Sequence, residues 1–94
     1  MIKSFADKET RNFWETGRGG KRLPANLRTS IQRKLQMLDA AKTLDDLKQP
    51  PNNRLHALEH DRAGQHAIRV NDQFRVCFTW NDGEAYDVEI TDYH

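Results

Sequence analysis

The chain has 94 residues, 36% of them hydrophobic, with 15 Lys or Arg against 14 Asp or Glu and a formal net charge of +1. That length allows one small domain with one modest core and excludes a deep substrate cavity. One cysteine excludes an internal disulfide and an all-cysteine metal centre.

The elements follow in order. Met1–Phe5 is a short strand candidate anchored by Ile2. Asp7 suits the N-cap of a first helix running through Phe13 and Trp14, and Gly17 suits its C′ position. Arg18–Arg22 is expected to be a flexible basic connector. Pro24 fits the first turn of a second helix, on which Leu27, Ile31, Leu35 and Leu38 form one apolar stripe. Leu44 and Leu47 give a short extra turn before Gln49–Asn53 breaks the pattern.

From Arg54 the periodicity changes to two. Ile68 and Val70 flank Arg69; Phe74, Val76, Phe78 and Trp80 alternate with Arg75, Cys77 and Thr79; Tyr86, Val88 and Ile90 alternate with Asp87 and Glu89. Asn71-Asp72 and Asp82-Gly83 are expected as two-residue hairpin turns, and 61–64 as a third turn. The predicted fold is α+β: a short N-terminal strand and two helices on a mostly antiparallel sheet of about four to five strands, in a single domain over 1–94. One sheet face is expected to be apolar and helix-covered, the other polar.

The even net charge hides a split. Arg18, Lys21, Arg22, Arg28, Arg33 and Lys34 fall in a stretch without acids, whereas the chain beyond Asn81 carries acids and no Lys or Arg. A basic segment of this kind fits either a nucleic-acid partner or a solvated helix face. No apolar run approaches the roughly 20 residues of a membrane span, and no basic-then-apolar leader precedes Phe5. A cytoplasmic protein with no membrane partner is expected.

Trp14, Phe74, Phe78 and Trp80 lie on apolar stripes and read as core. Cys77, between Val76 and Phe78, reads as a buried or half-buried strand thiol. Tyr93 shares strand parity with Glu89 and Thr91, which suits either stacking on an unpaired base or capping the core edge. His60 and His66 read as structural or surface residues. The four histidines make no zinc-ligand spacing, and neither a metal nor a cofactor is expected.

Asp92-Tyr93-His94 places three groups capable of proton transfer or hydrogen bonding at the end of the last strand. Where His94 bears the terminal carboxylate, that charge and Asp92 are expected to raise its imidazole pKa, favouring a general acid. Cleavage of RNA through its own 2′-OH needs a base, an acid and a cation for the charged phosphorane. His56 and His94 can supply the first two and Arg75 the third.

Four segments carry a family resemblance: Arg54-Leu55-His56-Ala57-Leu58, Asp61-Arg62-Ala63-Gly64-Gln65, the run from Ile68 to Phe78, and Ile90-Thr91-Asp92-Tyr93-His94. Together with Met1–Phe5 and Lys34–Ala41, they resemble the HigB-type toxins of the RelE/ParE superfamily. The resemblance implies an mRNA endonuclease working in the ribosomal A site, with the 2′-OH as nucleophile and no metal. It also implies a HigA-type helix-turn-helix antitoxin through which the pair reaches operator DNA. By position, His56, Asp92, Tyr93 and His94 would be catalytic and Arg75 would contact the scissile phosphate. Arg18, Lys21, Arg22, Arg28, Arg33 and Lys34 would meet ribosomal RNA.

Two departures from that family stand out. Glu59-His60 occupies a place where relatives often carry Lys-Gly, and His66 one where they often carry Trp. Glu59 keeps open an attenuated toxin acting mainly as a co-repressor. A gyrase-binding inhibitor of the same superfamily is the other alternative.

Overall fold

A computed structural model describes residues 1–92. The first helix, α1, spans Lys8–Thr16: the Asp7 side chain accepts a hydrogen bond from Thr10 N at its start, and Gly17, at φ 75°, closes it by donating to Phe13 O. The second, α2, spans Arg28–Ala40 and is entered through a 3-10 turn at Ala25–Leu27. Ile31, Leu35 and Leu38 are fully buried, as their spacing predicts, while Leu27 is partly buried. Leu44–Lys48 and Pro51–Asn53 add short 3-10 turns.

Four strands follow: β1 at His56–Ala57, β2 at His66–Arg69, β3 at Phe74–Asn81 and β4 at Glu84–Asp92. They form an antiparallel sheet in the order β1-β2-β3-β4. The N-terminal segment lies parallel to β4 through bridges at Ile2↔Ala85 and Phe5↔Val88 rather than as a regular strand. Ile2 N also donates to Asp39 Oδ1, which ties this edge to α2.

Ile68, Val76, Phe78, Val88 and Ile90 form the floor of the core, roofed by Phe13, Leu23, Ile31, Leu35 and Leu38. Thr10 is buried in the same interface, and its hydroxyl accepts from Ile90 N. Trp14 and Trp80 pack against this core while half-buried, and Phe74 and Phe78 are buried within it.

Several expectations need correction. The 18–22 segment is pinned rather than flexible: Arg22 is paired with Glu9 (2.7 Å) and Asp7 (3.4 Å) and donates to Ile90 O. Leu23, directly after it, is buried. The Asn71-Asp72 turn is longer than two residues, because β2 ends at Arg69 and β3 begins at Phe74. Asn71 Oδ1 holds that turn by accepting from both Gln73 N and Phe74 N. Asp82-Gly83 is the two-residue turn expected, with both φ angles positive at 55° and 80°.

β4 is interrupted by a bulge. Cys77 faces Glu89, but Thr79 faces Tyr86, so one additional β4 residue is inserted between these pairs. Asp87 lies within that insertion, at φ 52°. The insertion flips parity: Ala85, not Tyr86, continues the buried face beyond Val88. The second sheet face is also less open than expected, since Ala67 and Cys77 on it are fully buried. An Arg62–Glu89 ion pair of 2.6 Å and a Thr91 Oγ1 contact to Cys77 Sγ (3.4 Å) lie beside these small side chains.

Candidate active site on the outer sheet face

Directly opposed residues in a sheet share a face, as do residues two apart on one strand. The register His56↔Ala67↔Cys77↔Glu89 therefore forms one outward row, and Arg69↔Arg75↔Thr91 forms the next. This places His56 and Arg75, both expected from the sequence, on the same outer face. Arg69 stands between them, directly opposite Arg75.

β1 has only two residues, and Arg54, just before it, takes a left-handed conformation at φ 48°. A non-glycine residue in that conformation carries backbone strain, and such residues cluster at functional sites. Here the Arg54 carbonyl lies 2.7 Å from His56 Nδ1. A carbonyl oxygen only accepts, so Nδ1 carries the proton in that bond, and in the neutral ring Nε2 is the acceptor. His56 is exposed, so that nitrogen can meet a substrate.

An open depression of about 350 Å³ lies here, lined by Arg54, His56, Arg69 and Asp72. Asp72 is ion-paired with Arg69. Like charges directly opposite one another in a sheet cost stability, and Arg69 faces Arg75. Lys34 of α2 adds to this field: burial and then the nearby Arg69 charge lower its pKa. The site is electropositive, with an imidazole held in a defined tautomer at its rim. It can bind a phosphodiester and accept or donate a proton beside it.

The other expected residues divide. Asp92 stands opposite Phe74, on the parity of the helix-covered face, and its Oδ2 accepts from Gln73 Nε2 at 3.0 Å. It therefore belongs to the end of β4 beside the 70–73 turn rather than to the Arg69–Arg75 row. Tyr93 and His94, with the raised pKa expected of His94, lie outside the described residues.

Within the basic segment, Arg22 is held by Asp7 and Glu9, and Arg28 donates to Gly19 O. Arg18 and Lys21 are exposed on the loop after α1. Arg33 and Lys34 of α2 line a second depression, and Lys34 is near enough to Arg69 to feel its charge. Glu59 is exposed at the start of the 60–62 turn and does not line the His56 depression. His66 is stacked on Phe78 on the inner face, with ring centroids 6.3 Å apart, in keeping with a structural role. Among the described residues, no three His, Cys, Asp or Glu side chains are placed to hold one metal ion. No helix among them is long and apolar enough to cross a membrane.

Sequence reasoning missed Arg54, Arg69 and Asn53. Arg69 was legible in principle, because it mirrors Arg75 across the 70–73 turn. Asn53 is fully buried and holds Lys34 Nζ through its Oδ1.

Comparison with known proteins gives a consistent result. The family described as "RelE-like toxin of type II toxin-antitoxin system HigB" matches residues 3–94. The chain is 40% identical over 90 residues to Toxin HigB-1 of Vibrio cholerae, covering 96% of this chain and 95% of that protein. It is 34% identical over 94 residues to Endoribonuclease HigB of Proteus vulgaris, covering 100% of both. Among solved structures, YafQ from E. coli superposes with a TM-score of 0.66 at 12% identity, covering 99% of this chain and 94% of that one. A YoeB–YefM complex from Staphylococcus aureus gives 0.61 at 13% identity, covering 100% and 98%. At those identities the structural likeness shows a shared RelE-like fold.

Proposed function

Because the chain belongs to the HigB-type toxins of type II toxin–antitoxin systems, we propose that it is an endoribonuclease that cuts mRNA in the ribosomal A site. The relative from Proteus vulgaris bears the name Endoribonuclease HigB. The observation that carries the reading here is the His56 ring, tied through Nδ1 to Arg54 O, beside the opposed Arg69 and Arg75.

In this mechanism one imidazole of the His56–His94 pair takes the proton of the 2′-OH. The freed O2′ attacks phosphorus, and the guanidiniums of Arg75 and Arg69 stabilise the charged phosphorane. The other imidazole delivers a proton to the departing 5′-oxygen, leaving a 2′,3′-cyclic phosphate and a 5′-hydroxyl. Asp92 and Tyr93 are assigned to the same reaction by their place in the Asp92-Tyr93-His94 sequence, and no metal ion enters it.

The proposed partners are the ribosome with its mRNA and a HigA-type helix-turn-helix antitoxin, through which the toxin reaches operator DNA. Action on the ribosome places the protein in the cytoplasm. Arg18 and Lys21 are the members of the basic segment best placed for ribosomal RNA, being exposed and on one loop.

The test is mapping of mRNA 5′ ends after expression of the wild type, His56→Ala and His94→Ala. In-frame cuts present in the wild type and lost in both variants support the reading. Intact mRNA with arrested replication sinks it in favour of a gyrase-type inhibitor. Intact mRNA with an active repressor complex does so in favour of an attenuated co-repressor.

A further inference from the structure

A second depression, of about 250 Å³, lies on the helix side just beyond the end of β2. Arg33, Lys34 and Met37 of α2 line it together with Pro50, Asn52 and Val70. Val70 directly follows Arg69, which lines the first depression. The two depressions thus take consecutive residues of one chain segment, and Lys34 of the second is near enough to Arg69 of the first to feel its charge.

Lys34 stands at this junction. It is half-buried, and its Nζ donates to Asn53 Oδ1 at 2.5 Å. Asn53 is itself fully buried, with its Nδ2 donating to Leu47 O (3.2 Å) and Gln49 O (3.3 Å). A lysine held from beneath by a locked amide is pre-organised, in contrast to a surface lysine that samples many rotamers. Its charge is disfavoured by burial and by Arg69, a penalty that a bound anion would relieve.

Beside the cations, Met37, Pro50 and Val70 offer an apolar surface and Arg33 a planar guanidinium. Single-stranded RNA presents this combination: phosphates for cations, and unstacked bases that pack on apolar or guanidinium surfaces. An acidic protein segment would match the cations but has less use for the apolar floor.

We propose that this second depression is a nucleotide subsite for the mRNA strand: Lys34 holds the phosphate adjoining the one that is cut, and the attached base lies on Met37, Pro50 and Val70 beside Arg33. The proposal rests on the nuclease reading above and adds the path of the substrate to it. Asn53 is a positioning residue that acts through Lys34.

The probe is a fluorescein-labelled hexaribonucleotide, 2′-O-methylated throughout and therefore uncleavable, with binding followed by fluorescence anisotropy across a salt series. Lys34→Gln and Arg33→Ala should each weaken binding about tenfold, and loss of the Lys34 contact should lower the salt slope by about 0.7. Lys34→Arg should recover most of the affinity. Lys48→Gln, which removes a charge paired with Asp45 elsewhere, should behave as wild type. Arg33 is exposed, so its variant remains informative if a Lys34 variant folds poorly.

Wild-type affinity and slope in both Lys34→Gln and Arg33→Ala would overturn the subsite, as would a wild type that does not bind the probe. Retained RNA binding with lost antitoxin binding would reassign the depression to a protein partner. The cleavage map separates the two readings. Cuts in the wild type with unaltered probe binding by the variants remove only the subsite. Weakened binding by the variants without any wild-type cuts removes only the nuclease.

Discussion

Asn53→Ala tests the framework beneath the cationic site. Asn53 is fully buried and uses both amide donors on the carbonyls of Leu47 and Gln49, while its oxygen accepts from Lys34. Alanine leaves two carbonyls without their side-chain donor. A buried polar group left unsatisfied costs about 1–3 kcal/mol. The Leu47 bond is fully buried and the Gln49 bond only partly so, which puts the sum near 2–4 kcal/mol. Lys34, half-buried, can turn part of its ammonium to water and adds little. For a domain of this size each kcal/mol moves Tm by about 4–8 °C, so a fall of roughly 8–32 °C is expected.

Urea unfolding gives the free energy directly, with an unchanged m-value showing that only stability has moved. Asn53→Asp is the informative companion. It keeps an acceptor for Lys34 but turns a carboxylate oxygen toward carbonyls, so it should recover little of the loss. A cost below about 1 kcal/mol for Asn53→Ala would refute the reasoning. It would mean that the two carbonyls find other donors.

The remaining expectations concern the site and its surroundings. His56→Ala should lower cleavage by about 10²–10⁴-fold, as expected for loss of a proton-transfer group, with unfolding by urea unaltered; single-turnover cleavage of ribosome-bound mRNA measures it. Arg69→Ala should weaken cleavage in the same assay and flatten its salt dependence, because Arg54 and Arg75 remain but the opposed pair is lost. Glu59→Lys should leave the rate essentially as it is, since Glu59 lies outside the depression that Arg54 and Arg69 already supply with charge; a large gain would show that a third cation is missing. Asp46 has its pKa lowered by backbone hydrogen bonds from Lys42 and Thr43, with its side-chain bond to Thr43 helping. A carboxyl with a depressed folded pKa contributes stability above its unfolded pKa, near 3.9, and loses it as pH falls through the folded value. Urea midpoints of wild type and Asp46→Asn should therefore differ at neutral pH and converge in acid, and a gap that persists there would contradict this.

Regular elements were legible wherever one local rule acted alone. Asp7 and Gly17 bound α1 because a cap needs only its own helix end, and Ile31, Leu35 and Leu38 fix the buried stripe of α2 by spacing. Tyr86 was misplaced because counting by twos assumes an unbroken strand. The bulge adds one residue, and its mark in the sequence is an Asp that tolerates positive φ. Asn53 was hidden in a Pro-Asn-Asn turn that reads as exposed punctuation, because nothing local says which amide the fold will bury.

Charge was the least legible feature, for a physical reason. Counted along the chain, Arg18 to Lys34 is one basic block, yet folding neutralises Arg22 against Asp7 and Glu9, which lie 15 and 13 positions earlier. Arg28 turns back to the Gly19 carbonyl. Meanwhile Arg54, Arg69 and Arg75, separated in sequence and each beside apolar residues, converge on one face because antiparallel pairing aligns them. Coulomb interactions depend on separation in space, and at physiological salt they fade beyond about 8 Å. The cations that a phosphodiester meets are therefore set by strand register and by which acids fold onto which bases. In this chain the two cationic depressions are assembled from the middle of α2, the β1 entry and the β2–β3 hairpin, and Arg33 and Lys34 are the residues that line them from the block the sequence singled out.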